Sequence, residues 1–481
     1  MPFAFRPQRR SGLTLVEILI ALTMTLIVLG TMTAAFKVAS EEMREGRPLI
    51  ELANRVRIVE DHLRTDLGSV TVEARVYDGT VEPHGYFEYV EGAIRDRDFA
   101  GTTSSFQGDC DDVLAFTTRS TDRILYRGRL KRAEIVGGGN LEFEPTIAIE
   151  SSLAEIVWFT TINDNEDGPL QPQGFDTISP SDPSADFDDS IRLHRRVLLI
   201  RPDLGTLISG VSIGQANNFI RNNDVSVRLV PVSANLFNVV ANSLDDLAIR
   251  ANRFAHDPTT FNGLNAGDFP NNLTPANIQN LVASDDNSNG LYTPGSSTQP
   301  WAALPPILSD IGAFDLRAYS PTARVNDVAD TIVEPSDLGY VAGAFDPDVP
   351  GSGAYVDLGY GFVPSLPIPL QFQLDEEWFI AISAAPTNPP NPGVVWIGNV
   401  WDSWTPAYEN DGIDQNGDGT VDEATNGVDN GGSNVIDDSG ERETRPPYVE
   451  PIRGMKITLR LVEKGTKQVH QVSIIHSFVP E

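Results

Sequence analysis

The chain has 481 residues, 40% of them hydrophobic, which is enough length for two or three domains and enough apolar mass for a real core. Its 35 basic side chains against 67 acidic ones leave a formal charge of −32, which repels phosphate backbones and argues against nucleic acid as a partner of the body. Cys110 is the only cysteine, so no intramolecular disulfide can form; it reads as a small buried hydrophobe, and loops must be held by packing or by metal.

In chain order, Arg6, Arg9 and Arg10 precede Ser11-Gly12, and an apolar run follows from Leu13 to Phe36. As a helix at about 1.5 Å per residue that run spans roughly 36 Å, enough to cross a bilayer. Glu17 is its only charge. A carboxylate in hydrocarbon costs on the order of 3 kcal/mol, so it needs a partner, and none is expected within the span itself. A secretory signal puts its small cleavage residue after the apolar stretch, whereas Gly12 lies before it, so a cut there keeps the span in the mature protein. The leading arginines, against the mixed set Lys37, Glu41, Glu42, Arg44 and Glu45, predict a cytoplasmic N-terminus and an exported bulk. Gly30 and Ala34 form a small-xxx-small pair that either admits a neighbouring helix closely or simply faces lipid.

The string Gly12-Leu13-Thr14-Leu15-Val16-Glu17 with its apolar continuation resembles the N-terminus of type IV pilins and of the pseudopilins of type II secretion. The resemblance implies a leader peptide at 1–12, a transmembrane helix at 13–36, cleavage between Gly12 and Leu13 by prepilin peptidase, and N-methylation of Leu13. It also makes Glu17 the fifth mature residue, facing the N-terminal ammonium of a neighbouring subunit, which would supply the missing partner. The family usually has phenylalanine where Leu13 stands, and many members bend at a proline where this chain has Ala34.

Beyond the span, Leu49, Leu52, Val56, Val59, Leu63 and Leu67 recur at three- and four-residue steps and define one stripe of an amphipathic stalk helix over 37–67. Gly46 and Pro48 predict a kink near Arg47. Strands are predicted over 112–120, 123–129, 133–150 with a turn at Gly137-Gly138-Gly139-Asn140, 153–161 and 193–201, within a β-rich head at 68–204. Region 205–447 turns to Asn, Asp, Pro, Gly and Ser and reads as a loop-rich elaboration around strands near 225–232 and 313–319. At 448–481, Met455, Ile457, Leu459 and Leu461 alternate with polar residues before Lys464-Gly465-Thr466, the pattern of an antiparallel hairpin.

Val59 to Leu67 (VEDHLRTDL) further resembles the stalk end of the J-type minor pseudopilin, and 193–199 with the closing hairpin is similar to that family and to the W-type minor pilin. The implied fold class is α+β, a long N-terminal helix packed on an antiparallel sheet with long insertions. The implied function is a structural subunit of a type II secretion pseudopilus, not an enzyme, in the bacterial inner membrane and then in the fibre. Its partners would be prepilin peptidase, the membrane and other pilins or pseudopilins. A minor type IV pilin with an adhesive or initiating head is the alternative.

Within an acidic stretch at 409–440, Asp414, Asn416, Asp418, Thr420 and Asp422 place oxygen ligands at alternate positions around Gly417 and Gly419, as a calcium loop requires. Thr425 stands where an EF-hand needs glutamate, yet Gly412-Ile413-Asp414 recurs as Gly427-Val428-Asp429, resembling tandem aspartate calcium modules. A metal-free acidic turn is the other reading. Gly210-Val211-Ser212-Ile213-Gly214 matches the nucleophile-elbow string of hydrolases, but Gln215-Ala216-Asn217-Asn218 is a weak helix start where that motif demands strand, turn and helix.

Overall fold

The computed structural model describes residues 14–75, 84–91, 108–110, 112–120, 124–137, 140–163, 190–233, 236–249, 252–254, 306–321, 323, 325–328, 331–334, 353–358, 400–403, 420, 427–429, 436, 451–463 and 468–478. The chain divides into two compact units, Met1–Arg55 and Val56–Glu481.

Helix α1 (Leu15–Leu67) runs for 53 residues and belongs to both. Residues 46 to 48, where the sequence predicts a kink, are all helical, so Pro48 does not end the helix. Pro48 removes one backbone hydrogen bond, a cost of about 3 kcal/mol, but long helical stretches on either side propagate through it. In the first unit, Leu15 to Phe36 is exposed on every side. In the second, Val56, Val59, Leu63 and Leu67 are buried while Arg57, Asp61 and Arg64 are exposed, the expected stripe. Gly68 ends the helix, its N–H donating to Arg64 O at 3.0 Å, and Ser69 N donates to Asp66 O at 3.1 Å, which satisfies two carbonyls of the last turn.

The strands in chain order are β1 (Phe87–Val90), β2 (Val113–Arg119), β3 (Tyr126–Leu130), β4 (Ala133–Val136), β5 (Asn140–Phe143), β6 (Ile147–Ser151), β7 (Leu153–Asn163), β8 (Ser190–Leu199), β9 (Thr206–Val211), β10 (Val227–Ser233), β11 (Leu236–Ala241), β12 (Leu308–Ser320), β13 (Asn326–Val328), β14 (Thr331–Val333), β15 (Ala354–Val356), β16 (Val400–Asp402), β17 (Gly454–Glu463) and β18 (Gln468–Ser477). Nine of them form one sheet in the order β16-β1-β2-β7-β8-β12-β17-β18, with β15 also on β12. Every pairing in it is antiparallel.

Its core is built by alternation: Met455, Ile457, Leu459 and Leu461 of β17 are all fully buried, as are Phe314 and Leu316 of β12. The predicted turn at 137–140 separates β4 from β5, and the closing hairpin is β17–β18. β12 is longer than its sequence window, and it lies between β8 and β17 because thirteen residues from region 205–447 fill the middle of the sheet.

A smaller layer carries β9, β10, β11 and helix α2 (Ile213–Asn222) around Val211, Ala216, Phe219, Val225 and Val239. The weak helix start at Gln215 to Asn218 is therefore corrected. Ser212 and Gln215 form a capping box, and burial of Ala216 and Phe219 outweighs the poor helix propensity of the asparagines.

Candidate functional site

Glu17 sits in the first turn of α1, and its partner is local. Its Oε2 accepts from Thr14 N at 2.9 Å and from Thr14 Oγ1 at 3.0 Å, while Glu17 N donates to Thr14 Oγ1 at 3.3 Å. This is a Thr-x-x-Glu capping box, and it corrects the expectation that the span holds no partner for its acid. The carboxylate answers two donors at the helix N-terminus, where the helix dipole also favours negative charge. Both groups stay exposed, so Glu17 remains accessible to a second partner from outside the chain. Gly12 and Leu13, the expected cleavage and methylation residues, lie outside the described residues.

The other polar side chains of the span are absorbed by its backbone. Thr23 Oγ1 donates to Leu19 O or Ile20 O, Thr25 to Ala21 O, Thr31 to Val28 O and Thr33 to Leu29 O, at 2.7 to 3.0 Å. A threonine bonded this way exposes only its methyl group to an apolar environment. Among the described residues, a Cβ added at Gly30 would meet nothing within 4 Å. The surface from Leu15 to Lys37 is long and apolar enough to cross a membrane, and among the described residues none of it is buried.

The far end of α1 is fixed within the second unit by a polar lock. Asp66, 1% exposed, accepts from Arg195 Nε at 2.7 Å and Nη2 at 2.6 Å on β8, and from Trp158 Nε1 at 3.0 Å on β7. The Arg195 guanidinium also lies 5.9 Å from the Trp158 ring centroid. Bidentate geometry makes this pair directional as well as attractive. Sequence reading picked out the apolar stripe and missed Asp66, although Asp66 precedes Leu67 on that buried face.

Two further buried networks brace the large sheet. Arg253 Nη1 meets Glu88 Oε2 at 2.8 Å and Asp402 Oδ2 at 2.7 Å, all three side chains being 0% exposed, and its guanidinium lies 4.1 Å from the Tyr86 ring. It thereby fastens the short edge strand β16 to β1. Beside it, Glu155 of β7 accepts from Tyr86 Oη at 2.8 Å, Ser226 Oγ at 2.5 Å and Phe254 N at 2.8 Å. Burial raises the Glu155 carboxyl above the ordinary range even against those donors.

Acids that could hold a metal ion come together elsewhere than expected. One carboxylate oxygen each from Glu91, Asp109 and Asp112 lies within 4.8 Å of the others, and the same holds for Asp109, Asp315 and Asp357. All five side chains are buried. Leu316 N donates to Asp112 Oδ2 at 2.7 Å and Leu358 N to Glu91 Oε2 at 3.1 Å. The Tyr89 hydroxyl is set between Glu91 Oε2 and Leu316 O, and burial first, then the neighbouring Glu91, Asp112 and Asp357, raises its pKa. Arg317 pairs with Asp315 at 3.1 Å and with Asp357 at 3.3 Å. Oxygen-only donors suit a hard cation such as calcium. These residues span more than 260 positions, so only the adjacent pair Asp109 and Asp112 offered a local signal. Of the expected calcium ligands, Asp414, Asn416, Asp418 and Asp422 lie outside the described residues, and Thr420 is partly buried.

Ser212 does stand between a strand and a helix, as the hydrolase motif requires, with Gly210 at φ 67°. Its hydroxyl is engaged as the cap of α2, accepting from Gln215 N at 3.4 Å, while Ser212 N donates to Gln215 Oε1 at 2.7 Å. Comparison with family models, with curated proteins and with solved structures finds no match for this chain.

Proposed function

We propose that the chain is a minor pseudopilin-like subunit of a type II secretion pseudopilus, cut by prepilin peptidase between Gly12 and Leu13, methylated at Leu13 and assembled through its N-terminal helix. One observation carries the reading: a single helix begins with an acid-bearing apolar surface that is exposed among the described residues, and ends with a stripe and a carboxylate buried in an antiparallel unit. An apolar helix of that length needs lipid or other helices around it, which fits a membrane anchor that later joins a bundle. Glu17, exposed in its capping box, would meet the new ammonium of a neighbour once the leader ending at Gly12 is removed. A signal sequence shares the apolar helix but ends with its removal.

Calcium at Asp414, Asn416, Asp418, Thr420 and Asp422 belongs to the same proposal as a brace of the head, supported by the alternation of oxygen ligands in the sequence. Mass spectrometry of the mature N-terminus tests the central claim. The expected species starts at a methylated Leu13; an intact Met1 in cells with active prepilin peptidase would overturn it. Co-purification with pseudopilins, and not with pilus components, separates this machinery from a minor type IV pilin. A tethered hydrolase acting through Ser212 is the remaining rival, and an unchanged activity profile in Ser212→Ala removes it.

A further inference from the structure

Residues 242–249 and 252–254 form a strap on the face of the large sheet opposite the α1 stripe. On β7, Trp158 turns toward Asp66 of α1, so by strand alternation Glu155, Val157 and Phe159 turn the other way. There Leu247 and Phe254 of the strap pack with Tyr86, Val157, Phe159 and Leu198. Polar groups stitch the strap to itself. Asn252 Nδ2 donates to Asp246 O at 2.8 Å, Asn242 Nδ2 to Asn252 O at 2.8 Å, and Arg253 Nε to Leu247 O at 3.0 Å. Through Glu88 and Asp402 the same Arg253 reaches β1 and the edge strand β16.

One ionisable side chain of the sheet holds this strap from beneath. Glu155 is 0% exposed, and its two oxygens meet different kinds of group. Oε1 accepts from Phe254 N at 2.8 Å and from Tyr86 Oη at 2.8 Å, and the amide can only donate. Oε2 faces Ser226 Oγ at 2.5 Å, a hydroxyl oxygen that can accept as readily as donate. A neutral carboxylic acid fits that division, with its carbonyl serving both donors at Oε1 and its O–H directed at Ser226. Ser226 Oγ also accepts from Asn242 Nδ2 at 3.0 Å, so the acid reaches both ends of the strap. Burial is the largest influence on the Glu155 carboxyl and raises it above the ordinary range, while Ser226, Phe254 N, Tyr86 and the Arg253 charge offset that only in part. Among the described residues the titratable or charged groups facing it are Tyr86 on β1 and Arg253 in the strap, with Glu88 and Asp402 beyond Arg253. We infer that Glu155 is the proton site of a pH-sensitive latch, which holds residues 242–249 and 252–254 on the sheet when protonated and releases them when ionised. The folded state binds this proton more tightly than the unfolded chain does, so the latch is fully stable at low pH and weakens as pH rises through the raised value. A buried carboxylate gains by opening toward water. Because Arg253 belongs to the strap, its release also loosens β16. The inference stands apart from the fibre reading, since it uses no residue of the apolar span.

Amide hydrogen exchange of the full chain in detergent micelles, corrected for the intrinsic pH dependence of exchange, reads the latch directly. Protection at Ala248, Ile249, Asn252 and Phe254 should fall as pH rises above the raised value, by up to about tenfold per pH unit, the slope of a single proton. Glu155→Gln keeps an acceptor for Phe254 and Tyr86 and offers a donor to Ser226 without titrating. Its protection should stay flat with pH and match the low-pH level of the unsubstituted chain. At about pH 5.5, where an ordinary glutamate is ionised, the infrared difference between the two proteins should contain the carbonyl band of a protonated carboxylic acid. Protection in the unsubstituted chain that does not change with pH overturns the latch without any variant. So does a Glu155→Gln chain that keeps the unsubstituted pH dependence, or an infrared difference that holds only an ionised carboxylate. A Glu155→Gln chain that fails to fold overturns it too, because glutamine mimics the neutral form that holds the strap.

Discussion

The two ends of α1 use the same kinds of side chain to opposite effect. From Leu15 to Phe36, leucine, isoleucine and valine lie on all sides of the helix and stay exposed; from Val56 to Leu67 they keep to one stripe and vanish into the head. The difference teaches that apolar content alone does not say where a helix is buried. An all-round apolar surface calls for lipid or a bundle, whereas a stripe with charges behind it calls for one flat partner. Polar residues follow the same division. Glu17 and the span threonines are answered locally by their own helix, and Asp66 is answered across the fold by Arg195 and Trp158.

The sharpest way to break this contrast is to cut the lock at the buried end. Asp66→Ala leaves the Arg195 guanidinium and the Trp158 N–H without their acceptor, and should cost about 3 to 5 kcal/mol of head stability in denaturant unfolding. Leu63→Ala removes a fully buried side chain and should cost about 2 to 5 kcal/mol. The matched change Leu26→Ala in the exposed half should leave head unfolding within about 0.5 kcal/mol. Equal losses at Leu63 and Leu26 would erase the distinction between the two ends.

Smaller effects sharpen it. Thr14→Ala removes one side of the capping box and should lower helicity in the first turns by an amount equivalent to about 1 kcal/mol, read by amide exchange near Glu17. At the other end, burial first and then the Arg64 charge hold His476 below its ordinary pKa. The folded state therefore takes up this proton less readily than the unfolded chain. His476 contributes stability that is present above about pH 6.5 and is lost as pH falls through its depressed value. Melting temperatures between pH 7.5 and 5.5 should decline, and His476→Gln should flatten that decline. Gly30→Ala completes the series: among the described residues its Cβ would meet nothing within 4 Å, so head stability should not change, and only association between helices should weaken.

Much of this division is legible in the sequence. The apolar run, the stripe at Val56, Val59, Leu63 and Leu67, and the closing hairpin are all periodic patterns, and period alone decides which side of an element faces a core. The capping box at Thr14 and Glu17 is equally local, a Thr-x-x-Glu pattern within one turn. Helix α2 is legible once Ser212 and Gln215 are read as a cap that offsets the poor propensity of its asparagines. The short strands β1 and β16 could not be read at all, because their pairing depends on partners remote in sequence.

What the sequence determined by itself is therefore everything that repeats within a turn or a strand: the uncovered apolar helix, its stripe, its caps and the alternation of the last hairpin. Only the tertiary structure decided that Asp66 reaches Arg195, that Arg253 lies between Glu88 and Asp402, and that Glu91, Asp109, Asp112, Asp315 and Asp357 converge. The reason is physical. Local patterns are set by backbone geometry and solvent, but a buried charge takes whichever partner the sheet order brings within about 3 Å, and strand order is set by the packing of the whole core.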